Sequence, residues 1–300
     1  MNIWLEGRRK SIESFFNNYG KVTLVFFSLF LSVLSVCVLV TLIAPQKLRV
    51  SFLDVGQGDS IFIQTPSGHT MLVDGGASDI VLTRLGEKMN YFDKNIDVMV
   101  ATHGDADHVT GLIPVLAKYV VENIVVSPVR AETSIFVDLE KHIEKENGTV
   151  YVGARGDEID FGDGALVHVL YPQKNLSEKT DTNDASVSFV LIYGEHSFLL
   201  TGDLTSRYEP QLLGASLPKK VTVYKAGHHG SKTSSGEQLL SYIRPEYSVI
   251  SAGKENKYGH PNSETVGRLQ TYSKEVISTI DHGTISFESD GRIIDVEVSK

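Results

Sequence analysis

The sequence predicts an α/β (α+β) fold in which mixed sheets are covered by helices and one transmembrane helix precedes the domain. Three observations support this prediction. An uncharged apolar run lies near the N-terminus, short segments rich in Val, Ile and Phe alternate with Gly- and Asp-containing turns, and helical patterns lie between several of these segments. The hydrophobic fraction of 41% is sufficient for a sizeable core.

The apolar run covers residues 22–44, which are 23 residues without a charged side chain. As a helix it would be about 35 Å long, and a bilayer hydrocarbon core is about 30 Å thick. A cleaved signal peptide is the alternative, although its apolar run is usually shorter and no small-residue cleavage site follows here.

Basic residues flank this run on both sides, with four before it and two after it: Arg8, Arg9, Lys10 and Lys21, then Lys47 and Arg49. The bias predicts that the N-terminus is cytoplasmic. We therefore expect a short cytoplasmic tail at 1–21, a single span of the cytoplasmic (inner) membrane at 22–44, and an extracytoplasmic domain at 48–300.

The charge of the chain is unevenly distributed. The net charge is −9, and the residues after position 49 carry 22 Lys and Arg against 35 Asp and Glu, a balance of −13. Such a domain repels polyanions at long range and lacks the broad basic face that duplex binding usually needs. Cys37 is the single cysteine, which excludes both an intrachain disulfide and a thiolate metal site.

From about residue 48 the pattern is that of a soluble domain, with predicted strands and helices in alternation. The predicted strands are 49–55, 60–65, 70–74, 96–102, 123–127, 149–153, 165–171, 186–193, 196–202, 221–226 and 247–251. The predicted helices are 78–89, 111–120, 133–146, 235–243 and 263–272.

Residues 101–111 read ATHGDADHVTG and place four side chains of metal-ligand type within six residues: His103, Asp105, Asp107 and His108. They follow the predicted strand at 96–102 and precede a predicted helix. Neighbouring carboxylates repel one another unless a cation lies among them. A solvated loop with a helix-capping aspartate is the alternative interpretation.

Other acidic and imidazole side chains also follow predicted strands: Asp74, Asp203, His228, His229 and His260. Together with 103–108 they predict a polar site on one edge of a pair of sheets. Imidazoles and carboxylates without thiols suit zinc, manganese or iron. Two ions about 3.5–4 Å apart share a carboxylate or hydroxide bridge and can activate water near neutral pH, and an isolated carboxylate such as Asp203 can serve as that bridge.

Seven blocks of the sequence, in order, resemble the metallo-β-lactamase-fold hydrolases, and in particular the soluble domain of the ComEC competence proteins. The blocks are FLDVGQGDSIFI (52–63), LVDGG (72–76), ATHGDADHVTG (101–111), TNDASVSFVL (182–191), FLLTGD (198–203), YKAGHHGSKTSS (224–235) and YGHPNSET (258–265). The resemblance covers residues from about 50 to nearly the C-terminus. It implies a four-layer αββα sandwich, a dinuclear metal site and hydrolysis, with nuclease activity suggested for this DNA-uptake branch.

The resemblance also implies metal ligands at six positions: His103 and Asp105 for one ion, Asp107 and His108 for the other, Asp203 as the bridge, and His228 to complete the second site. His229 is the alternative to His228 at the last of these positions. Two divalent ions, zinc or manganese, are the expected cofactors. Asp105 stands where many members of the family have His, and no obvious counterpart of the family's third-motif His precedes Asp203, where the local candidates are Asn183 and Asp184. Both departures replace nitrogen with oxygen and favour a harder ion such as manganese.

Catalytic roles are expected for Asp107, which would orient the nucleophile, for Asp203, and for His260, which would bind or protonate a phosphate oxygen. Substrate-contacting or ligand-orienting roles are expected at six further positions: Asp74, Asn183, Asp184, His229, Ser231 and Lys232. An Asx-turn is the alternative for Asp184. Asp54 and Asp59 lie in a Gly-rich turn and are interpreted as structural. Four lysines flank the motifs and could form a cationic rim: Lys225, Lys232, Lys254 and Lys257.

The predicted function is that of a membrane-anchored phosphodiesterase or nuclease linked to DNA uptake or degradation. Full ComEC proteins carry a multi-span channel region, so a separate channel protein is an expected partner and single-stranded DNA an expected substrate. Another extracytoplasmic phosphodiester, such as a teichoic acid, a phosphocholine ester or a nucleotide, is the main alternative. Hydrolysis of a lactone or β-lactam and a non-catalytic membrane-anchored binding module are the others.

Overall fold

The computed structural model describes residues 2–43, 47–90 and 92–300. The chain divides into two compact units between residues 45 and 46. The first unit is one helix, α1 (Asn2–Ile43), so the predicted tail is helical and continuous with the predicted span. Residue 44, the last of that span, lies outside the described residues. The stretch Glu6–Val36 is unburied and is long and apolar enough to cross a membrane, a criterion that a signal sequence also meets.

The second unit contains two mixed sheets in the described part of the chain. The first sheet consists of β1 (Leu48–Phe52), β2 (Ile61–Gln64), β3 (Thr70–Val73), β4 (Asn95–Ala101), β5 (Val120–Val126), β6 (Thr149–Val152), β14 (Ile285–Ser289) and β15 (Ile294–Val298), in the spatial order β15-β14-β1-β2-β3-β4-β5-β6. The second consists of β7 (Glu158–Asp160), β8 (Leu166–Tyr171), β9 (Ser188–Tyr193), β10 (His196–Leu200), β11 (Val223–Lys225), β12 (Tyr247–Ile250) and β13 (Glu275–Ser278), in the order β13-β12-β11-β10-β9-β8-β7.

Parallel pairing in both sheets determines where the loops meet. Strands β3 to β6 pair in parallel in the first sheet, and β10 to β13 do so in the second. The carboxyl ends of parallel strands lie at the same edge of a sheet, so the loops that follow β3, β4, β10, β11 and β12 collect at one edge of each sheet. The remaining pairs are antiparallel, and β14 returns to pair with β1.

Helices cover the outer faces of both sheets. The helices on the first sheet are α2 (Ile80–Lys88), α3 (Ala106–Val109), α4 (Leu112–Leu116) and α5 (Ser134–Ile143), and those near the second are α6 (Glu237–Ile243), α7 (Ser263–Tyr272) and α8 (Thr279–His282). Leu85 and Leu139 pack with Leu72 of the first sheet, and Leu240 and Leu269 belong to the cluster on the second. This arrangement confirms the predicted four-layer αββα sandwich.

The central core lies between the two sheets. Phe287 of β14 is fully buried, and its ring contacts Phe52 at 5.9 Å, Phe198 at 6.1 Å and Tyr247 at 5.4 Å between centroids. Because Phe52 belongs to the first sheet and the other two rings to the second, Phe287 joins the layers across the core.

We expect Phe287→Ala to lower the free energy of unfolding by about 3–5 kcal/mol, the usual cost of removing a buried ring and leaving a cavity. Urea denaturation of the purified chain, monitored by far-UV circular dichroism, measures this loss. Ile293→Ala is the matched control, because Ile293 is exposed and should change stability by less than about 0.5 kcal/mol. Equal midpoints for the two variants would contradict the role of Phe287.

Candidate metal centre

The loops at the strand ends bring polar side chains from both sheets to one place. The loop after β4 carries His103 to His108, and Asp203 follows β10 in the other sheet. Nε2 of His108 lies 3.3 Å from Oδ1 of Asp203. This contact joins the two layers at the edge where the parallel strands end.

The carboxylate of Asp203 lies at the centre of the cluster. Its Oδ2 atom is 3.5 Å from Nε2 of His228 and of His229, and 3.9 Å from Nε2 of His103. Burial alone raises the pKa of Asp203, but His229 and His108 outweigh it and hold the pKa well below its usual range. An ionised carboxylate therefore faces four imidazole nitrogens.

One side of Asp203 is formed by His108, His229 and Asp107. Nε2 of His229 lies 3.3 Å from Nε2 of His108 and 3.3 Å from Oδ2 of Asp107, while its Nδ1 lies 3.0 Å from the carbonyl oxygen of Ser251. An imidazole whose Nδ1 donates to a carbonyl presents Nε2 as the ligand atom. Burial alone lowers the pKa of His229, but Asp203 and its other carboxylate neighbours raise it to about 9, so the site attracts positive charge.

The other side of Asp203 is formed by His103 and Asp105. Burial, reinforced by His108, lowers the pKa of His103 to about 3, so its imidazole is neutral at pH 7. The Thr102 hydroxyl donates to Asp74 and lies 3.0 Å from Nδ1 of His103. Because the hydroxyl proton is directed at Asp74, the hydroxyl oxygen can only accept a hydrogen bond from the Nδ1–H group of His103. Nδ1 therefore carries the proton of the neutral ring, and Nε2 carries the free lone pair. Nε2 is buried without a hydrogen-bond partner among the described residues, 4.0 Å from Oδ2 of Asp105.

Asp74 orients both of these imidazoles. Its Oδ2 atom lies 2.7 Å from Nδ1 of His108, and the same oxygen accepts the Thr102 hydroxyl that contacts His103. The backbone N–H of Thr102 donates to the other carboxylate oxygen at 2.8 Å. Asp74 is fully buried and has a φ of 57°, in the left-handed region that non-glycine residues rarely adopt.

Two glycines, Gly58 and Gly111, allow the loops around residues 101–111 to pack closely against one another. A Cβ atom on Gly58 would lie 2.0 Å from the carbonyl oxygen of Asp107, and one on Gly111 would lie 1.9 Å from the carbonyl oxygen of Gly75. Neither position can accept a larger residue without moving the backbone. The GQGD, DGG and VTG segments of the sequence thus fix the loop that carries the candidate ligands.

Asp59 and Lys225 form a buried ion pair behind the cluster. Nζ of Lys225 contacts Oδ2 of Asp59 and lies 3.8 Å from Oδ1 of Asp203, and Oδ1 of Asp59 lies 3.3 Å from Nδ1 of His229. Burial alone raises the pKa of Asp59, but Lys225 and His229 lower it. The sequence-based interpretation of Lys225 as part of an exposed cationic rim is wrong, because its side chain is buried.

The cluster opens into a cavity of about 360 Å³, whose lining includes Gln57, Asp105, Asp107, Asn183, Asp203, His228, His229, Tyr258 and His260. The ring of His260 lies 5.5 Å from that of His228, and its Nδ1 atom is buried without a partner among the described residues. Burial, with His228 next in importance, lowers the pKa of His260. A neutral imidazole therefore forms one wall of the cavity.

Six predicted site residues do not line this cavity. Asp74, His103 and His108 belong to the cluster itself, whereas Asp184, Ser231 and Lys232 contact other residues. Oδ1 of Asp184 accepts the Thr205 hydroxyl, the Ser231 hydroxyl lies 3.1 Å from that of Thr233, and Lys232 is exposed with Glu264 at 3.5 Å. Asp184 is thus held by a neighbouring loop, Ser231 by a contact within its own loop, and Lys232 lies at the surface.

The four residues whose ligand atoms lie within 4.8 Å of one another are Asp59, His108, Asp203 and His229. Sequence reasoning favoured His228 over His229 and assigned Asp59 to a turn. Asp59 faces the Nδ1 side of His229 and the ammonium of Lys225, so we place it behind the imidazole rather than among the ligands. His228 and His229 have consecutive positive φ values of 48° and 55°, and the ring of His229 is buried whereas that of His228 is partly exposed. Two adjacent histidines in a sequence give no indication of this difference.

The donor set fits a divalent cation. Nε2 of His103 and Oδ1 of Asp203 are buried without hydrogen-bond partners among the described residues. Such atoms cost free energy unless they are satisfied, and nitrogen and carboxylate oxygen are ligands of zinc, manganese and iron. The cluster of Asp and His side chains is therefore a candidate metal-binding site.

The fold and this site define a metal-dependent hydrolase. The family model described as Metallo-beta-lactamase superfamily matches residues 53–254, and the chain belongs to that superfamily.

Two curated relatives are a ComE operon protein and a competence protein. ComE operon protein 3 of Bacillus subtilis is 29% identical over 262 residues, covering 82% of this chain and 33% of that protein. Competence protein ComA of Neisseria gonorrhoeae is 28% identical over 249 residues, covering 82% of this chain and 33% of that protein. The chain thus spans about a third of the length of these relatives.

A solved structure also shares the fold. CmlA, a diiron β-hydroxylase from Streptomyces venezuelae, matches with a TM-score of 0.50 and 15% identity, covering 81% of this chain and 54% of that one. At this identity the likeness concerns the architecture alone.

We expect Asp74→Asn to weaken binding of manganese or zinc by about 10- to 100-fold, because outer carboxylates orient ligand imidazoles and fix their tautomers. Isothermal titration of the full chain in detergent measures the affinity. Asp163→Asn is the control, since Asp163 accepts from Ser67 in a turn that holds none of the candidate ligands. An unchanged affinity in Asp74→Asn with the fold intact would contradict the orienting role.

We expect Lys225→Met to lower the free energy of unfolding by about 3–5 kcal/mol, because it leaves the buried carboxylate of Asp59 without its partner. The double variant Asp59→Asn with Lys225→Met should lose less, since no unpaired charge of the pair remains buried. Thermal and urea unfolding measure both, with the exposed Lys232→Met as the control. Equal stability of Lys225→Met and the control would argue against a buried ion pair.

Proposed function

We propose that this chain is a membrane-anchored, metal-dependent phosphodiesterase of the ComEC-like branch that cleaves nucleic acid in DNA uptake or degradation. The observation that carries the proposal is the position of Asp203, whose ionised carboxylate faces imidazoles on two sides. One carboxylate between two sets of ligands is the arrangement that a pair of ions requires. The names of the relatives, which concern competence, support the link to DNA.

The proposed ligands fall into two groups that share Asp203. His103 and Asp105 would hold one ion, and Asp107, His108 and one imidazole of the 228–229 pair would hold the other. The distances of 3.3–3.5 Å from Nε2 of His229 to its neighbours favour His229 for this last position, with His228 exposed to the cavity beside it. The ions, when bound, lower the pKa of water and neutralise charge on phosphoryl oxygens.

The remaining groups act on the substrate and on the proton. Asp107 lies at the cavity wall with a pKa well below its usual range, because His229 and His108 outweigh its partial burial, so it is an acceptor that can orient an attacking water. The neutral imidazole of His260 faces the same cavity and can bind a phosphoryl oxygen or pass a proton to the leaving oxygen. The buried Oδ1 atom of Asn183 lacks a partner among the described residues, and Asn183 lines the same cavity.

The ions that this donor set favours are manganese or zinc. Three of the proposed ligands are carboxylates, and Asp105 provides oxygen where nitrogen would favour zinc. Asp105 also accepts the Thr182 hydroxyl at 2.7 Å, which holds one of its oxygens. Because its side chain is partly exposed, we propose that the ion on the side of His103 is the more weakly bound of the two.

The proposed location is the cytoplasmic membrane, with α1 as the anchor and the catalytic domain outside. Four basic residues lie before the apolar part of α1 and two lie after it, which supports a cytoplasmic N-terminus. The partners that this proposal implies are single-stranded DNA and a multi-span channel protein.

The test uses the full chain in detergent, stripped of metal and resupplied with manganese or zinc. End-labelled single- and double-stranded DNA and bis-p-nitrophenyl phosphate are the substrates. We expect metal-dependent cleavage of single-stranded DNA and of the small diester, and a loss of about 100-fold or more in Asp203→Asn, as when one preorganised charge-stabilising group is removed. Asp163→Asn is the matched aspartate control.

The outcomes separate the parts of the proposal. Cleavage of the small diester without cleavage of any DNA would exclude the nuclease and retain the phosphodiesterase chemistry. Wild-type activity in Asp203→Asn would exclude the central role of that carboxylate. Metal binding without hydrolysis of either substrate would indicate a binding module that kept the fold.

A further inference from the structure

Tyr258 is an exposed aromatic side chain at the mouth of the candidate site. It is 53% exposed and lines both the cavity above Asp203 and an adjoining groove that also borders Asp105 and Asp107. Its ring belongs to none of the three hydrophobic clusters formed by the described residues. Large aromatic rings at the rim of a ligand cavity are typical contact residues.

A series of rings connects Tyr258 to the centre of the site. Tyr258 stacks on His260 with 5.9 Å between centroids and 18° between planes, and the ring of His260 lies 5.5 Å from that of His228. Nε2 of His228 lies 3.5 Å from Asp203. One side of the phenol ring is therefore stacked on His260. His260 in turn contacts His228, the imidazole that lies next to the carboxylate of Asp203.

Lys257 adds a positive charge at the same place. Its Nζ atom lies 5.1 Å from the centroid of the Tyr258 ring, and its side chain is exposed. In a domain with a charge balance of −13, a local cation at the cavity mouth favours an anionic substrate. It disfavours a quaternary ammonium group, which would also be attracted to an aromatic ring but would be repelled by the ammonium of Lys257.

We propose that Tyr258 and Lys257 form a nucleobase platform. The ring of Tyr258 stacks on the base attached to the sugar next to the scissile phosphate, and Lys257 contacts an adjacent phosphate. This inference rests on the proposed phosphodiesterase function and specifies its substrate. Bases in a duplex are stacked on their neighbours and paired, whereas unpaired bases stack on aromatic side chains without sequence preference. The platform therefore selects single-stranded nucleic acid over duplexes and over phosphodiesters that lack a base.

A pair of esters with the same leaving group measures the effect of the nucleoside, and the oligomer pair described below separates the base from the sugar. Thymidine 5′-(p-nitrophenyl phosphate) and methyl p-nitrophenyl phosphate differ only in the group that stays on phosphorus. For the full chain in detergent with manganese, we expect Tyr258→Ala to lower kcat/KM for the thymidine ester by about 5- to 150-fold more than for the methyl ester. Any disturbance of His260 affects both esters alike and cancels in this ratio. Tyr258→Phe should keep the wild-type ratio, because the phenyl ring keeps its face.

Binding provides a readout that does not depend on turnover. Fluorescence anisotropy with a labelled oligothymidylate and with the same oligomer made abasic, in the presence of chelator, measures the contribution of the bases. We expect Tyr258→Ala to weaken binding of the oligothymidylate by a similar factor and to leave little difference between the two oligomers. Tyr151→Ala is the matched control, since Tyr151 is an exposed tyrosine of the edge strand β6.

Each result decides one of the two hypotheses. Equal losses on both esters together with unchanged oligothymidylate binding in Tyr258→Ala would overturn the platform and leave the phosphodiesterase intact. Failure of the wild-type chain to hydrolyse either ester would overturn the proposed function, and the binding difference would still decide whether the platform exists. Absence of any preference of the wild-type chain for the oligothymidylate over the abasic oligomer would also overturn the platform.

Discussion

The constraint on which this domain depends is the burial of negative charge between two sheets. The side chains of Asp59, Asp74 and Asp203 are all buried, and among the described residues Lys225 is the only buried lysine or arginine. One ammonium cannot balance three carboxylates, and an uncompensated charge in a protein interior is costly. The imidazoles that contact these carboxylates supply part of the balance as long as they are protonated, and a divalent cation supplies it without protons.

Backbone geometry in the site reflects the same constraint. Asp74, His228 and His229 all adopt positive φ values, each at a cost of about 1–3 kcal/mol that persists only where the surroundings determine the conformation. The hydrogen bonds of Asp74 to Thr102, and of His229 to Ser251, are contacts of that kind. The buried wall is thus held rigidly, whereas the opposite wall, with Tyr258 and His260, comes from the loop between β12 and α7 and is more exposed. The candidate ligands and the proposed substrate contacts thus lie on different parts of the molecule.

The strand ends and the motif between residues 101 and 111 could be predicted from the sequence, because buried parallel strands are continuous apolar runs and their ends are marked by Gly and Asp. Strands β7 and β13 to β15 escaped prediction, since they are short and rich in charged or polar residues, and β15 is largely exposed. The helix predicted at 111–120 is a single turn that ends at Leu116, because Val120 begins β5. The pairing of Asp59 with Lys225 could not be predicted, since an Asp in a Gly-rich turn and a Lys at a strand end are usually solvated. Burial of both depends on the contact between the two sheets.

Asp203 follows a strand of one sheet, and His103 and His108 follow a strand of the other. This division makes the docking of the layers and the assembly of the site a single event. An ion held there binds the native chain and has no comparable site in a chain whose layers have separated. By mass action, an ion at 100 times its dissociation constant would stabilise the folded state by about 2.7 kcal/mol. That is a large part of the margin by which a domain normally stays folded. The supply of metal in the compartment where the chain resides would therefore set its lifetime as well as its activity.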